Sequence, residues 1–131
     1  MALSLNEYST SALAYLGDSV LEVCVREALV KAGLSTSARL NSKALEFVTA
    51  PKQAEAMKNI LPLLTEEEDA VFKRGRNLGH TNTPKSATVA QYRSATGMET
   101  LFGYLHLKGD KARIGELFSA AYPDFEAISN K

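Results

Sequence analysis

One cysteine, no tryptophan and no net charge are the shortages of this chain, and each removes a class of protein. Cys24 alone can form neither an intrachain disulfide nor a thiolate metal cluster. It sits among Leu21, Val23 and Val25, where a small buried hydrophobe is the expected role and no base stands by to activate a thiol. Residues 1–7 hold no basic stretch followed by a long apolar one, so neither secretion nor membrane insertion is indicated, and a cytoplasmic location is the expectation. Alternating strand patterns are missing too. What is present is a folded composition, 45% hydrophobic and 23% charged. Its 131 residues suffice for one continuous core and leave no room for a second module, so a single domain over 1–131 is expected.

The balance of charge hides an uneven distribution. Between Ala70 and Met98 the chain carries Lys73, Arg74, Arg76, Lys85 and Arg93 and no acid, so the remainder is as acidic as this stretch is basic. Local charge decides what a surface attracts.

Glycines and prolines divide the sequence into six or seven helices, which predicts an all-α domain. The first helix starts near Ser9 or Thr10 and runs to Ala32, with Gly33 as the left-handed terminator and Leu13, Leu16, Val20, Val23, Leu29 and Val30 at helical spacing. A second begins at Ser35 to Ser37 and stops before Pro51, which opens a third through Ala54, Met57 and Ile60. Thr65 followed by Glu66, Glu67 and Glu68 reads as a capping box with an acidic first turn, so these acids explain themselves without a metal. That helix should reach about Arg74. From Gly75 to Pro84 the chain reads as a polar loop. A long helix follows from Ser86–Thr88 to Lys108, and Asp110 caps a last one through Leu117 and Phe118.

Two carboxylates interrupt apolar helical runs. Asp18 lies within Leu13-Ala14-Tyr15-Leu16-Gly17-Asp18-Ser19-Val20-Leu21, and Glu99 within Met98-Glu99-Thr100-Leu101-Phe102-Gly103-Tyr104-Leu105. A carboxylate among apolar neighbours costs several kcal/mol unless it is paired, solvated at a cleft or bound to a cation. If the two helices cross, Asp18 and Glu99 form a small acidic site of the kind Mg²⁺ favours, since this cation takes few protein oxygens and fills its other positions with water and phosphate. Glu22 shares a face with Ser11, Ala14 and Asp18 and is a further candidate ligand; the alternative for it is an ion pair with Arg26. For Glu99 the alternative is a buried pair with Arg93 or a lysine. Small residues at Ala95 and Gly103 would let another helix come close. His106 on the same helix face could be a general base, but an interior hydrogen-bonded role is the more common one for such a residue.

These two segments carry a resemblance. Leu13 to Glu22 resembles the signature helix of the ribonuclease III catalytic domain, and Glu99 to Gly109 resembles its other active-site helix, in the right order. The short chain and the intervening Lys73-Arg74-Gly75-Arg76-Asn77 are most similar to the Mini branch of that family, which lacks a double-stranded-RNA-binding domain. The resemblance implies an all-helical endoribonuclease that hydrolyses both strands of duplex RNA with Mg²⁺ and acts as a homodimer. It implies precursor large-subunit (23S) ribosomal RNA as substrate, with a ribosomal protein as a partner that could present it. Asp18 and Glu99 match its catalytic, metal-binding acids, and Tyr15 its aromatic position at the dimer interface. Full-length members carry further acids where this chain has Ser11, Ala14 and Thr96.

Duplex RNA presents phosphates and 2′-hydroxyls across a shallow groove, which calls for donors on an exposed segment. Lys73, Arg74, Arg76 and Lys85 supply charge, with Asn77, His80, Thr81 and Asn82 as neutral contacts. The alternatives are a noncatalytic RNA-binding protein of this fold acting in ribosome assembly, and a helical protein-interaction module.

Overall fold

A computed structural model describes residues 7–78, 87–123 and 125, and among them there are six α-helices and no strand. The helices are α1 (Thr10–Lys31), α2 (Ser37–Val48), α3 (Ala50–Ile60), α4 (Glu66–Arg76), α5 (Val89–Lys108) and α6 (Lys111–Ala121), with a short 3-10 turn at Leu61–Leu63. The caps follow the local chemistry. Ser9 Oγ accepts from Ala12 N at 3.0 Å to start α1. Thr65 with Glu68, and Thr88 with Gln91, form full capping boxes for α4 and α5. Gly33 and Gly109, at φ +98 and +80, turn the chain out of α1 and α5. Thr49 ends α2 and caps α3, so Pro51 is the second residue of α3 and not its first.

α5 is the centre. From Ala95 to Leu105 every residue is buried except Glu99, so this helix is wrapped on all sides, by α1, α4, α3 and α6. Leu13, Leu21, Val25 and Leu29 of α1, Met57 and Ile60 of α3, Phe72 of α4 and Leu117 of α6 pack around Met98, Leu101, Phe102 and Leu105. Each such side chain contributes about 1.5–3 kcal/mol on full burial. Val23 and Val30, read from spacing as part of the α1 core stripe, lie outside it at 63% and 61% exposed; Leu13, Val20 and Leu29 do belong to it, together with Gly17, Leu21 and Val25.

The expected loop at Gly75 starts later. α4 continues to Arg76 because Gly75 is buried against α5, where a Cβ would lie 2.2 Å from Thr100 Oγ1. The glycine permits close packing there and makes no turn. Gly79, His80, Thr81, Asn82, Thr83, Pro84 and Lys85 lie outside the described residues.

Candidate active site

The crossing of α1 and α5 is closer than side chains permit. A Cβ on Gly17 would stand 1.6 Å from the carbonyl oxygen of Glu99, and one on Gly103 would stand 2.0 Å from the carbonyl oxygen of Leu13. Backbone therefore rests on backbone, and the residue after Gly17 is brought beside Glu99. That residue is Asp18.

Asp18 is exposed and Glu99 half-buried, the one opening to solvent in the buried stretch of α5. Burial pushes the Glu99 carboxyl from 4.5 up to about 8, and the charge of Asp18 and a hydrogen bond with it push in the same direction. No lysine or arginine among the described residues forms an ion pair with either acid. The alternative pairing of Glu99 with a basic side chain is thus not what surrounds it. Two acids so placed repel when both are ionised, an arrangement that a cation relieves.

Other acids do not join them. Glu22 Oε1 lies 3.3 Å from Arg26 Nη2 on an exposed stretch of α1, the ion pair weighed as its alternative role. Thr96 turns its hydroxyl into its own helix, donating to the Tyr92 carbonyl at 3.0 Å. Among the described residues no group of three His, Cys, Asp or Glu side chains is arranged to hold a metal. His106 is exposed near the end of α5, beside Lys111 and Glu27 in a groove between α1 and α6; it is not an interior residue. Cys24 is half-buried, and burial followed by the charge of Glu27 raises its thiol to about 11, which makes it a poor nucleophile.

The basic residues divide into two kinds. Arg74 is committed inward, its Nη2 donating to the Tyr8 carbonyl at 3.2 Å and Thr10 Oγ1 at 3.1 Å, so it ties the end of α4 to the start of α1. Lys73 is exposed and pairs with Asp69 at 2.7 Å, and Arg76 lies over the Phe72 ring with its Nε donating to Asn77 Oδ1 at 3.3 Å. His80 and Lys85 lie outside the described residues. Tyr15, 85% exposed, stands on the outer side of α1.

Tyr122 had no signal in the sequence beyond an aromatic before Pro123. It is buried with its hydroxyl donating to the Phe47 carbonyl at 3.3 Å. Burial first, then the charges of Cys24 and Glu99, raise its phenol, so it remains neutral in the interior.

The profile of the Ribonuclease III domain matches residues 11–110, which include both carboxylates and the crossing between them. The Mini-ribonuclease 3 of Symbiobacterium thermophilum is 44% identical over 109 residues, 83% of this chain and 84% of that one. The Mini-ribonuclease 3 of Brevibacillus brevis is 40% identical over 117 residues, 89% of this chain and 87% of that one. A crystal structure of a Fusobacterium nucleatum protein is similar with a TM-score of 0.80 at 29% identity, covering 90% of this chain and 94% of that one. An all-helical frame with two acids meeting where α1 crosses its central helix, and these matches over most of its length, make the chain a member of the ribonuclease III family, similar over most of its length to the Mini-ribonuclease 3 proteins.

Proposed function

We propose that this protein is an endoribonuclease that hydrolyses double-stranded RNA, with Mg²⁺ held by Asp18 and Glu99. The observation that carries the reading is the Asp18–Glu99 pair, in which a half-buried glutamate faces a second acid and, among the described residues, no basic side chain. The donor set fits a small hard cation, because two carboxylates leave room for water and phosphate oxygens. When bound, the cation supplies positive charge to the phosphodiester oxygens and an acidified water.

The chain's own residues do the rest. Glu99 holds a proton up to about pH 8 while only Asp18 faces it, and gives it up when positive charge arrives. Asp18, exposed at the lip, meets the substrate side. In the reaction a water oxygen bonds to phosphorus and the bond to the 3′ oxygen breaks. The 3′ oxygen takes a proton, leaving a 5′ phosphate and a 3′ hydroxyl. Lys73, Arg76 and Asn77 at the end of α4, with His80 and Lys85, contact the RNA backbone; Arg74 serves as a tether for α1.

The full proposal is one catalytic domain that pairs with a second copy through the face bearing Tyr15, so that two sites cut the two strands. The exposure of this large aromatic supports it. The substrate is precursor 23S ribosomal RNA in the cytoplasm, presented by a ribosomal protein. Incubating the protein with a long RNA duplex, with Mg²⁺ or with a chelator, tests the activity. Cleavage that requires Mg²⁺ is expected; binding without cleavage would favour a noncatalytic RNA-binding protein of the same fold. A monomer by sedimentation at micromolar concentration would remove the two-strand arrangement.

A further inference from the structure

At the α1–α5 crossing an added Cβ would meet main chain first, whereas at Gly75 and Gly97 it would meet a side chain first. At Gly103 an added Cβ would meet Leu13 O at 2.0 Å, Leu13 C at 2.9 Å and Gly17 N at 3.0 Å, all main-chain atoms. At Gly75 the two nearest atoms, at 2.2 and 2.7 Å, belong to the Thr100 side chain, with Gly97 Cα next at 2.8 Å. Backbone inside a helix cannot rotate aside, so a methyl group at position 103 has one outlet: α1 must move away from α5 by more than an ångström to reach ordinary contact, which begins at 3.4 Å. Asp18 travels with α1 and Glu99 stays on α5. On the proposed cation-site reading, on which this inference rests, the movement changes the gap between the two ligating carboxylates.

We propose that Gly103 is a positioning residue, and that its main-chain contact with α1 sets the Asp18–Glu99 gap to the size of Mg²⁺. Mg²⁺ holds its oxygens at about 2.0–2.1 Å and tolerates little distortion, whereas Ca²⁺ takes longer bonds, about 2.3–2.6 Å, in flexible geometry. A wider gap therefore weakens Mg²⁺ more than Ca²⁺. Loss of stability alone would not alter the ratio of the two affinities.

The test is calorimetric titration of the folded protein with Mg²⁺ and with Ca²⁺. Gly103→Ala is expected to weaken Mg²⁺ at least tenfold and to shift the Mg²⁺/Ca²⁺ affinity ratio at least fivefold toward Ca²⁺. Gly115→Ala on α6, where an added Cβ meets nothing within 4 Å, is expected to leave the ratio unchanged. Adding Asp18→Glu to Gly103→Ala should recover part of the Mg²⁺ affinity, because the longer side chain spans the wider gap. Should Gly103→Ala fail to fold, Asp18→Glu alone on an exposed position probes the same fixed gap, with at least fivefold weaker Mg²⁺ expected. An unchanged ratio in Gly103→Ala, or unchanged Mg²⁺ affinity in Asp18→Glu, overturns the inference. A wild-type protein that binds neither ion removes the cation site itself, and the inference with it.

Discussion

Glu68 and Glu99 are both helical glutamates withdrawn from water, and the fold treats them in opposite ways. Glu68, 6% exposed, receives Arg113 Nε at 2.9 Å and Nη2 at 2.8 Å and the Thr65 amide at 2.9 Å. The Arg113 hydrogen bonds hold its carboxyl below the usual range in spite of burial. Arg113 is itself anchored, donating to the Leu63 carbonyl at 2.8 Å. Glu99 has Asp18 where Glu68 has arginine, and its carboxyl rises to about 8. A buried carboxylate with a complete set of donors holds two helices together. One that faces another acid destabilises the fold until something positive enters, and that is the mark of a binding site.

The largest effect should fall on catalysis. Asp18→Asn and Glu99→Gln are each expected to reduce single-turnover cleavage of a duplex by about a thousandfold or more, several kcal/mol of barrier at 1.4 kcal/mol per tenfold. Glu68→Gln should leave the rate of the folded protein near wild type. Retention of wild-type cleavage by either active-site variant would collapse the distinction between the two glutamates.

Stability should move the other way. Arg113→Ala leaves Glu68 without its partner and is expected to cost about 3 kcal/mol in denaturant unfolding. Glu99→Gln removes a repulsion and should stabilise the protein in chelator, by roughly a few kcal/mol at alkaline pH. Because the Glu99 pKa is raised on folding, from 4.5 to about 8, the wild type binds the extra proton in this window and loses stability as pH rises through it. The advantage of Glu99→Gln should then be absent below pH 4.5, grow across the window and level off above pH 8. Glu68 slopes oppositely: its contribution is present above the ordinary carboxylate pKa and is lost as pH falls through its lowered folded value. Melting curves across pH would read both signs, and Mg²⁺ should raise the wild-type midpoint at alkaline pH without raising that of Glu99→Gln.

The helices were legible because their signals are local. Ser9, Thr65, Thr88 and Asp110 each cap the helix their position announces. Asp18 and Glu99 were legible as charges out of place in apolar runs, although only the crossing puts them together. Glycines were ambiguous, since Gly75 resembles a breaker until Thr100 is known to lie against it. Arg113 as the partner of Glu68, 45 residues away, left no trace, nor did the inward commitment of Arg74. A basic residue in a basic stretch looks the same whether it faces solvent or a backbone carbonyl.

That last ambiguity carries the comparison of Glu68 and Glu99 over to the cations, with the smallest expected effect. Arg74 has its Nη2 donors used by Tyr8 and Thr10, whereas Lys73 and Arg76 hold only exposed or ring contacts at the end of α4. The Lys73–Asp69 pair is a surface pair, 51% and 36% exposed, and such pairs release their cation to a phosphate at little cost. Plotting log affinity for duplex RNA against log salt, Lys73→Ala and Arg76→Ala should each reduce the slope by roughly 0.9, one phosphate contact apiece. Arg74→Ala should lower the melting temperature and leave the slope alone. A slope change in Arg74→Ala equal to that of Lys73→Ala would mean that its guanidinium leaves α1 for the RNA, and that satisfied and unsatisfied charges are not separable in this region as they are at Glu68 and Glu99.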